Sequence, residues 1–282
     1  MGARVWHCGR YTLPLARTLV MGVLNVTPDS FSDGGRFATT ADALAAGLAM
    51  AAEGAAMIDV GGESTRPGAA SVEPAEETAR VLGVLPALLA EAGVPISVDT
   101  RHADVAQAAL EAGADILNDV SGFRDPWMVE IAAASACGCV VMHMRGEPNT
   151  MQRAPHYDDV AAEVAGFLGG QARRLEEAGV DRARICVDPG IGFGKTLEHN
   201  LELLRRLPEL AALGYPVLVG VSRKRFVGEL TGVSDPAARL EGSLAAAVWC
   251  ASHGADVVRV HDVAETARAL RVTAAIEGRA VR

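Results

Sequence analysis

Eight short apolar runs in this chain each carry, or lead directly to, a side chain able to bind a ligand or do chemistry. LVMGVL leads to Asn25, MIDV contains Asp59, PISV leads to Asp99, DIL to Asn118, CVVM to His143, ICV to Asp188, VLVGV to Ser222, and VVRV, which carries Arg259, to His261. Lys224 lies just beyond Ser222. Carboxylates at the ends of core strands are costly to desolvate unless they meet donors, and a heterocycle with an amino group and a ring N–H would supply them. Taken singly, each Asp could as well cap the following helix or pair with a neighbouring cation. Several at equivalent places favour a shared site.

Two stretches rich in Gly, Pro, Ser and Thr follow the first two runs, NVTPDSFSDGGRF from Asn25 and GGESTRPGAAS from Gly61. Such loops present backbone N–H groups and hydroxyls to an anion, Arg66 adds a bidentate oxyanion partner, and both are long enough to cover a substrate. Ordinary surface turns are the alternative. Arg259 and His261 alternate along the last run and so point the same way, as a phosphate clamp would, although a lone Arg is also a common ion-pair partner. DPGIGFGKT, from Asp188, narrowly misses two phosphate-binding patterns. A Walker loop needs glycine where Pro189 stands, and a dinucleotide fingerprint needs it where Lys195 stands. Gly190, Gly192 and Gly194 still let backbone approach a flat ligand, with Phe193 available to stack on it or to pack.

Positioning such a set requires a repeating scaffold. Between the runs lie stretches with apolar residues at helical spacing, including 41–52, 74–92, 158–178, 197–206 and 237–252. Gly54, Gly93, Gly113, Gly179, Gly214 and Gly254 each close one before the next apolar run. Continuous apolar strands alternating with helices mark a parallel sheet covered on both faces, and eight such units favour a closed (β/α)8 TIM barrel over an open sheet. Half the residues are hydrophobic and only 4% aromatic, within the 282 residues that one barrel domain commonly takes. Residues 1–18 precede the barrel at 19–282, and about Arg4 to Arg17 could fold as a hairpin closing its bottom. In such barrels the βα loops gather at the carboxyl ends of the strands, which is where the polar residues should converge.

Composition excludes other classes. A formal charge of −9 argues against a nucleic-acid surface. No apolar run is long enough for a bilayer, and the first residues lack the hydrophobic region of a signal peptide, so a soluble cytoplasmic protein is expected. Cys8, Cys137, Cys139, Cys186 and Cys250 fit neither a disulfide framework nor a zinc pattern and read as buried thiols.

Taken in order, MGVLNVTPDSFSDGG, GAAMIDVGGESTRPG, SVDT, NDVSG, DPGIGFGKT, GVSRKRF and RVHDV resemble the dihydropteroate synthase family, from about Val20 to Thr266. The resemblance implies condensation of 6-hydroxymethyl-7,8-dihydropterin pyrophosphate with 4-aminobenzoate to 7,8-dihydropteroate and pyrophosphate, by a Mg2+-using homodimer that sulfonamides target. It implies that Asp99, Asn118, Asp188 and Lys224 hold the pterin, in a pocket completed by Val120, Met142, Phe193 and Gly220. Thr65, Asn25, Arg259 and His261 would hold the pyrophosphate, Asn25 beside the Mg2+ and Arg259 also along the pterin ring. Ser222, a helix N-terminus and Thr65–Arg66–Pro67 would form the 4-aminobenzoate pocket. The reacting set is then Asn25, Arg66, Lys224, Arg259 and His261. A pterin-binding methyltransferase barrel would share the pterin readers but have no use for the two long loops. A non-catalytic paralogue would show damage at Asn25, Arg66, Lys224 or His261, and all four are intact.

Overall fold

The computed structural model describes residues 4–27, 40–64, 72–147 and 150–278, so most of the two long loops lies outside it. All eight apolar runs are strands. An antiparallel hairpin, β1 (Val5–Cys8) and β2 (Tyr11–Pro14), precedes β3 (Leu19–Asn25), β4 (Met57–Gly61), β5 (Ile96–Asp99), β6 (Ile116–Asp119), β7 (Gly138–Met142), β8 (Ile185–Asp188), β9 (Leu218–Gly220) and β10 (Val257–Val260). Strands β3 to β8 pair in chain order, and β10 lies between β3 and β9. Val187 bridges Val217 in parallel and its N–H donates to the Pro216 carbonyl at 2.9 Å, which closes the ring between β8 and β9. The helices are α1 (Thr40–Glu53), α2 (Pro74–Glu91), α3 (Ala103–Glu111), α4 (Pro126–Ala134), α5 (Val160–Glu177), α6 (Leu197–Arg205), α7 (Leu207–Ala211), α8 (Arg225–Thr231), α9 (Leu240–Ser252) and α10 (Val263–Ile276). This is a (β/α)8 barrel. Strand β9 is shorter than its apolar run because the chain turns sharply after Ser222, with Arg223 at a φ of 59°.

Side-chain alternation along the strands sorts the interior into layers. Outward residues such as Ile58, Val98, Leu117, Val141, Val187 and Val258 pack under the helices. Inward residues nearer the strand starts, Met21, Met57, Ile116, Val140, Cys186, Leu218 and Val257, gather with Trp6 and Cys8 of the hairpin into an apolar floor. Two residues further along the same faces stand Val23, Asp59, Asn118, Met142, Asp188, Gly220 and Arg259, and Asp99 stands two beyond Ser97. The barrel is therefore apolar at its floor and polar one layer up.

The hairpin makes that floor watertight. Trp6 is fully buried, and its indole N–H donates to the Arg184 carbonyl at 2.9 Å. All five cysteines are buried free thiols, as their spacing suggested. Among the described residues no helix is long and apolar enough to cross a membrane. Trp6→Ala should cost about 3–5 kcal/mol, the usual loss when a large buried aromatic leaves a cavity. Urea unfolding checks this, and an unchanged midpoint would mean that the hairpin does not seal the barrel.

Candidate active site

Parallel register sets the polar layer edge to edge. Asp59 pairs with Val23 and Ser97, Asp99 with Asn118, Asp188 with Met142, and Arg259 with Gly220. Arg259 lies at the centre. Its Nε donates to Asp59 Oδ2 at 2.6 Å and its Nη2 to Asp99 Oδ2 at 2.8 Å, while Asn118 Nδ2 donates to the same Asp59 oxygen at 3.0 Å. Gly220 leaves lateral room beside the arginine, since a Cβ there would stand 3.9 Å from the Arg259 Cβ. Asp59 Oδ1, Asp99 Oδ1 and Asn118 Oδ1 are buried and find no hydrogen-bond partner among the described residues. A buried acceptor left unpaired is expensive, so this layer is built to receive donors.

The carboxyls carry the same message electrostatically. Burial pushes Asp99 up to about 7 against the pull of Arg259, and the neighbouring Asp59 adds to the rise. Burial likewise raises Asp188 to about 6, although the Gly190 N–H donates to its Oδ1 at 2.7 Å and Lys224 and Arg259 draw it down. Desolvation outweighs the nearby cations in both cases.

One wall of the mouth is apolar. Val120, Met142, Met144 and Met151 cluster, and Phe193 packs against them. Lys224 Nζ lies 4.2 Å from the centroid of the Phe193 ring, so the ring both packs and holds a cation on one face. Next to it round the barrel, at the ends of β9 and β10, Ser222 Oγ shares a hydrogen bond with His261 Nδ1 at 3.1 Å and accepts from the His261 N–H at 3.3 Å. Asn25 stands half-buried at the end of β3, and a Cβ on Gly61 would lie 3.5 Å from its Oδ1.

Most of the residues expected from the sequence thus share one mouth, with Asn25, Asp99, Asn118, Val120, Met142, Asp188, Phe193, Gly220, Ser222, Lys224, Arg259 and His261 at or just above the polar layer. Thr65, Arg66 and Pro67 lie outside the described residues. Four points differ from the sequence reading. Asp59 is the hub of the layer, tied to both Arg259 and Asn118. Arg259, read with His261 as a phosphate clamp, also pairs with the Asp59 and Asp99 carboxylates. His143 is no rim group: it is buried with its ring edge-on to Phe167, and burial followed by the charge of Lys195 pushes it down to about 2. The helix after Ser222 has only seven residues, a short N-terminus for a carboxylate. Lys195, fully within the loop after β8, was visible only as the residue that spoiled a fingerprint. A cavity of about 290 Å3 near Arg17, Glu53 and Arg271 opens at the amino-terminal end of the barrel, away from this chemistry.

Residues 21–261 match the family described as pterin binding enzyme. A dihydropteroate synthase from Neisseria meningitidis serogroup C is 50% identical over 280 residues, which is 98% of this chain and 99% of that one. The chain belongs to the dihydropteroate synthase family. Among solved structures, Xanthomonas albilineans dihydropteroate synthase with 4-aminobenzoic acid superposes with a TM-score of 0.92 at 48% identity, covering 98% of this chain and 99% of the other. The same enzyme in complex with 7,8-dihydropteroate gives 0.88 at 45% identity over 97% and 98% of the two chains.

For a dihydropteroate synthase the raised carboxyls have a measurable consequence. A group raised in the folded state favours folding fully below its ordinary value and loses that contribution as pH rises through the shifted one. With Asp99 near 7 and Asp188 near 6, the ligand-free protein should therefore lose stability from these groups between about pH 4 and pH 7. A ligand that donates to both carboxylates should bind more weakly as they take up protons. Calorimetry with a pterin should show affinity falling as pH drops from about 8 to about 5. A flat profile would remove Asp99 and Asp188 from contact with it.

Proposed function

We propose that this mouth condenses 6-hydroxymethyl-7,8-dihydropterin pyrophosphate with 4-aminobenzoate, giving 7,8-dihydropteroate and pyrophosphate. The observation that carries the reading is the set of buried, unpartnered acceptors at Asp59, Asp99 and Asn118 beside Asp188. A pterin carries an amino-pyrimidine edge whose amino and ring N–H groups donate in one plane, and strands in fixed register hold acceptors in one layer. Asp99, Asn118 and Asp188 read that edge, and Lys224 faces the pterin carbonyl and ring nitrogen. The apolar wall of Val120, Met142 and Phe193 takes the flat ring, and Gly220 leaves space beside it. The relatives solved with 4-aminobenzoic acid and with 7,8-dihydropteroate support the substrate and the product.

In this reading the bond from the exocyclic methylene to the diphosphate oxygen breaks, its electron pair leaves with the diphosphate, and the arylamine nitrogen forms the new C–N bond before losing a proton. The chain's own residues bear the charge changes. Carboxylates beside the pterin favour the positive charge that develops on it, and His261 with Arg259 favours the negative charge on the leaving group. Ser222, held by His261, and the Thr65–Arg66–Pro67 stretch take the 4-aminobenzoate carboxylate. No protein nucleophile is needed.

Family members are expected to use Mg2+. Such an ion keeps most of its waters and is held by one or two protein oxygens together with phosphate oxygens. The amide oxygen of Asn25 at the mouth fits that need, and the ion would neutralise charge on the diphosphate. Glu63, Glu77 and His102 form the one tight acidic group found among the described residues, but Arg101 already pairs Glu63 and His102 pairs Glu77. The protein is expected to act as a cytoplasmic homodimer. Exposed Val272 and Ile276 on α10 and half-exposed Trp249 on α9 offer apolar surface for that contact.

Purified protein given the pterin pyrophosphate and Mg2+ should release pyrophosphate only when 4-aminobenzoate is present, with dihydropteroate appearing alongside. Tight pterin binding without turnover would reduce the protein to a binding module. Asp99→Asn replaces an acceptor by a donor and should weaken the pterin by about 1–3 kcal/mol. Unchanged affinity in calorimetry would take Asp99 out of the pterin site.

A further inference from the structure

The glycine-rich loop between β8 and α6 is wrapped around a buried ammonium group. Lys195 is only 3% exposed, and its Nζ donates to His143 Nδ1 at 2.9 Å, to the Gly190 carbonyl at 3.0 Å and to the Phe193 carbonyl at 3.0 Å, with the His143 carbonyl at 3.4 Å. Three close acceptors match the three N–H bonds of an ammonium, whereas a neutral amine would turn a lone pair toward one of them. His143 is fitted to the task, because it stays neutral and leaves Nδ1 free to accept.

The rest of the loop is fixed with equal thoroughness. Gly190 N–H donates to Asp188, Gly192 N–H to Asn200 Oδ1 at 2.7 Å, Gln152 to the Gly192 carbonyl at 2.6 Å and Tyr157 Oη to the Gly194 carbonyl at 2.9 Å. Gly190 passes so close to the His143 carbonyl that any Cβ would collide with it. The exits of β7 and β8 therefore lie close together, and the Lys195 ammonium bonds to carbonyls of both. Asp188, Lys224 and Arg145 are the other charged groups acting on Lys195, and burial pushes its ammonium down to about 7.

We propose that Lys195 is a positioning residue, a covalently tethered cation that shapes the loop and thereby sets Phe193 and Asp188 for the pterin without touching it. A cradle of carbonyls and an imidazole nitrogen suits a large, weakly hydrated monovalent cation. Removing the tether therefore converts the site into one for free K+ or NH4+. The inference rests on the pterin reading of the mouth and concerns a residue outside it.

The test compares the unaltered protein with Lys195→Ala, which opens the space, and Lys195→Met, which fills it without charge. Turnover is measured in choline chloride and, at constant ionic strength, in KCl or NH4Cl. In choline both variants should raise the KM for the pterin pyrophosphate roughly 10- to 100-fold, the loss of charge-assisted hydrogen bonds, with the KM for 4-aminobenzoate little changed. K+ or NH4+ should restore Lys195→Ala, leave Lys195→Met impaired, and leave the unaltered protein indifferent. Should Lys195→Ala fail to fold in choline, recovery of its circular dichroism on adding K+ or NH4+, but not more choline, carries the same conclusion. An unaffected pterin KM in both variants, or equal losses for both substrates with no difference between cations, overturns the proposal. If the unaltered protein does not turn over, the functional reading fails separately, and pterin affinity by calorimetry in the same salts still decides the role of Lys195.

Discussion

The site hangs on one ion pair, the 2.6 Å contact between Arg259 and Asp59 inside the barrel. Asp59 is completely buried, with the apolar floor of Met57, Ile116 and Val140 beneath it. An unpaired carboxylate there would be several kcal/mol too costly to keep charged, and breaking a buried pair of this kind typically costs about 3–5 kcal/mol. Arg259 reaches across to Asp99 and so links β4, β5 and β10 in one plane, while Asn118 adds β6. The pair consumes one oxygen of each carboxylate. The remaining oxygens are left buried and unpartnered in fixed relative positions, and in the proposed reading that remainder is what a ligand's donors satisfy.

Placing these acceptors on strands has a kinetic as well as an energetic meaning. Strand positions in register move little, so the acceptors need no reorganisation when donors arrive, which is the property that makes preorganised polar groups effective near a developing charge. The cost is carried in the free protein, whose carboxyls at Asp99 and Asp188 are pushed toward neutrality by burial. Stability at the floor offsets it. The hairpin plug, with Trp6 sealed by its bond to Arg184, lets the barrel tolerate an unsatisfied polar layer one step above an apolar one.

Much of this was legible in one dimension. The period of two along a strand carries Met57 to Asp59, Ile116 to Asn118, Cys186 to Asp188 and Val257 to Arg259, so the apolar floor and the polar layer can be read as offset positions of the same runs. Glycines at helix ends were legible because Gly54 and Gly113 adopt φ near 107° and 106°, where other residues are strained. What could not be read was partnership across the barrel. Asp59 and Arg259 are far apart in sequence, and whether an arginine faces an anion site or a carboxylate depends on barrel closure. His143 follows its strand as the other rim residues do, yet Lys195 and the ring of Phe167 pack against its imidazole. Such burial has no sequence signature.

The loop DPGIGFGKT shows why composition alone misleads about charge. In a phosphate-binding loop, glycines turn backbone N–H groups inward onto an anion and a lysine reaches the same anion from the loop's end. Here Gly190, Gly192 and Gly194 have φ of 65°, 86° and 64°, and carbonyls instead converge on the lysine that follows them. The polarity of the loop is inverted. Two of its N–H groups are spent on Asp188 and Asn200, and that of Phe193 donates to the Gly190 carbonyl. The residues proposed for the pyrophosphate, Asn25, Arg259 and His261, stand instead on or just beyond β3 and β10, three and two strands round the barrel from β8. The loop that most resembles a phosphate site is thus built around its own cation, and in the proposed reading it presents the Phe193 ring to a flat ligand instead of a nest of donors to an anion.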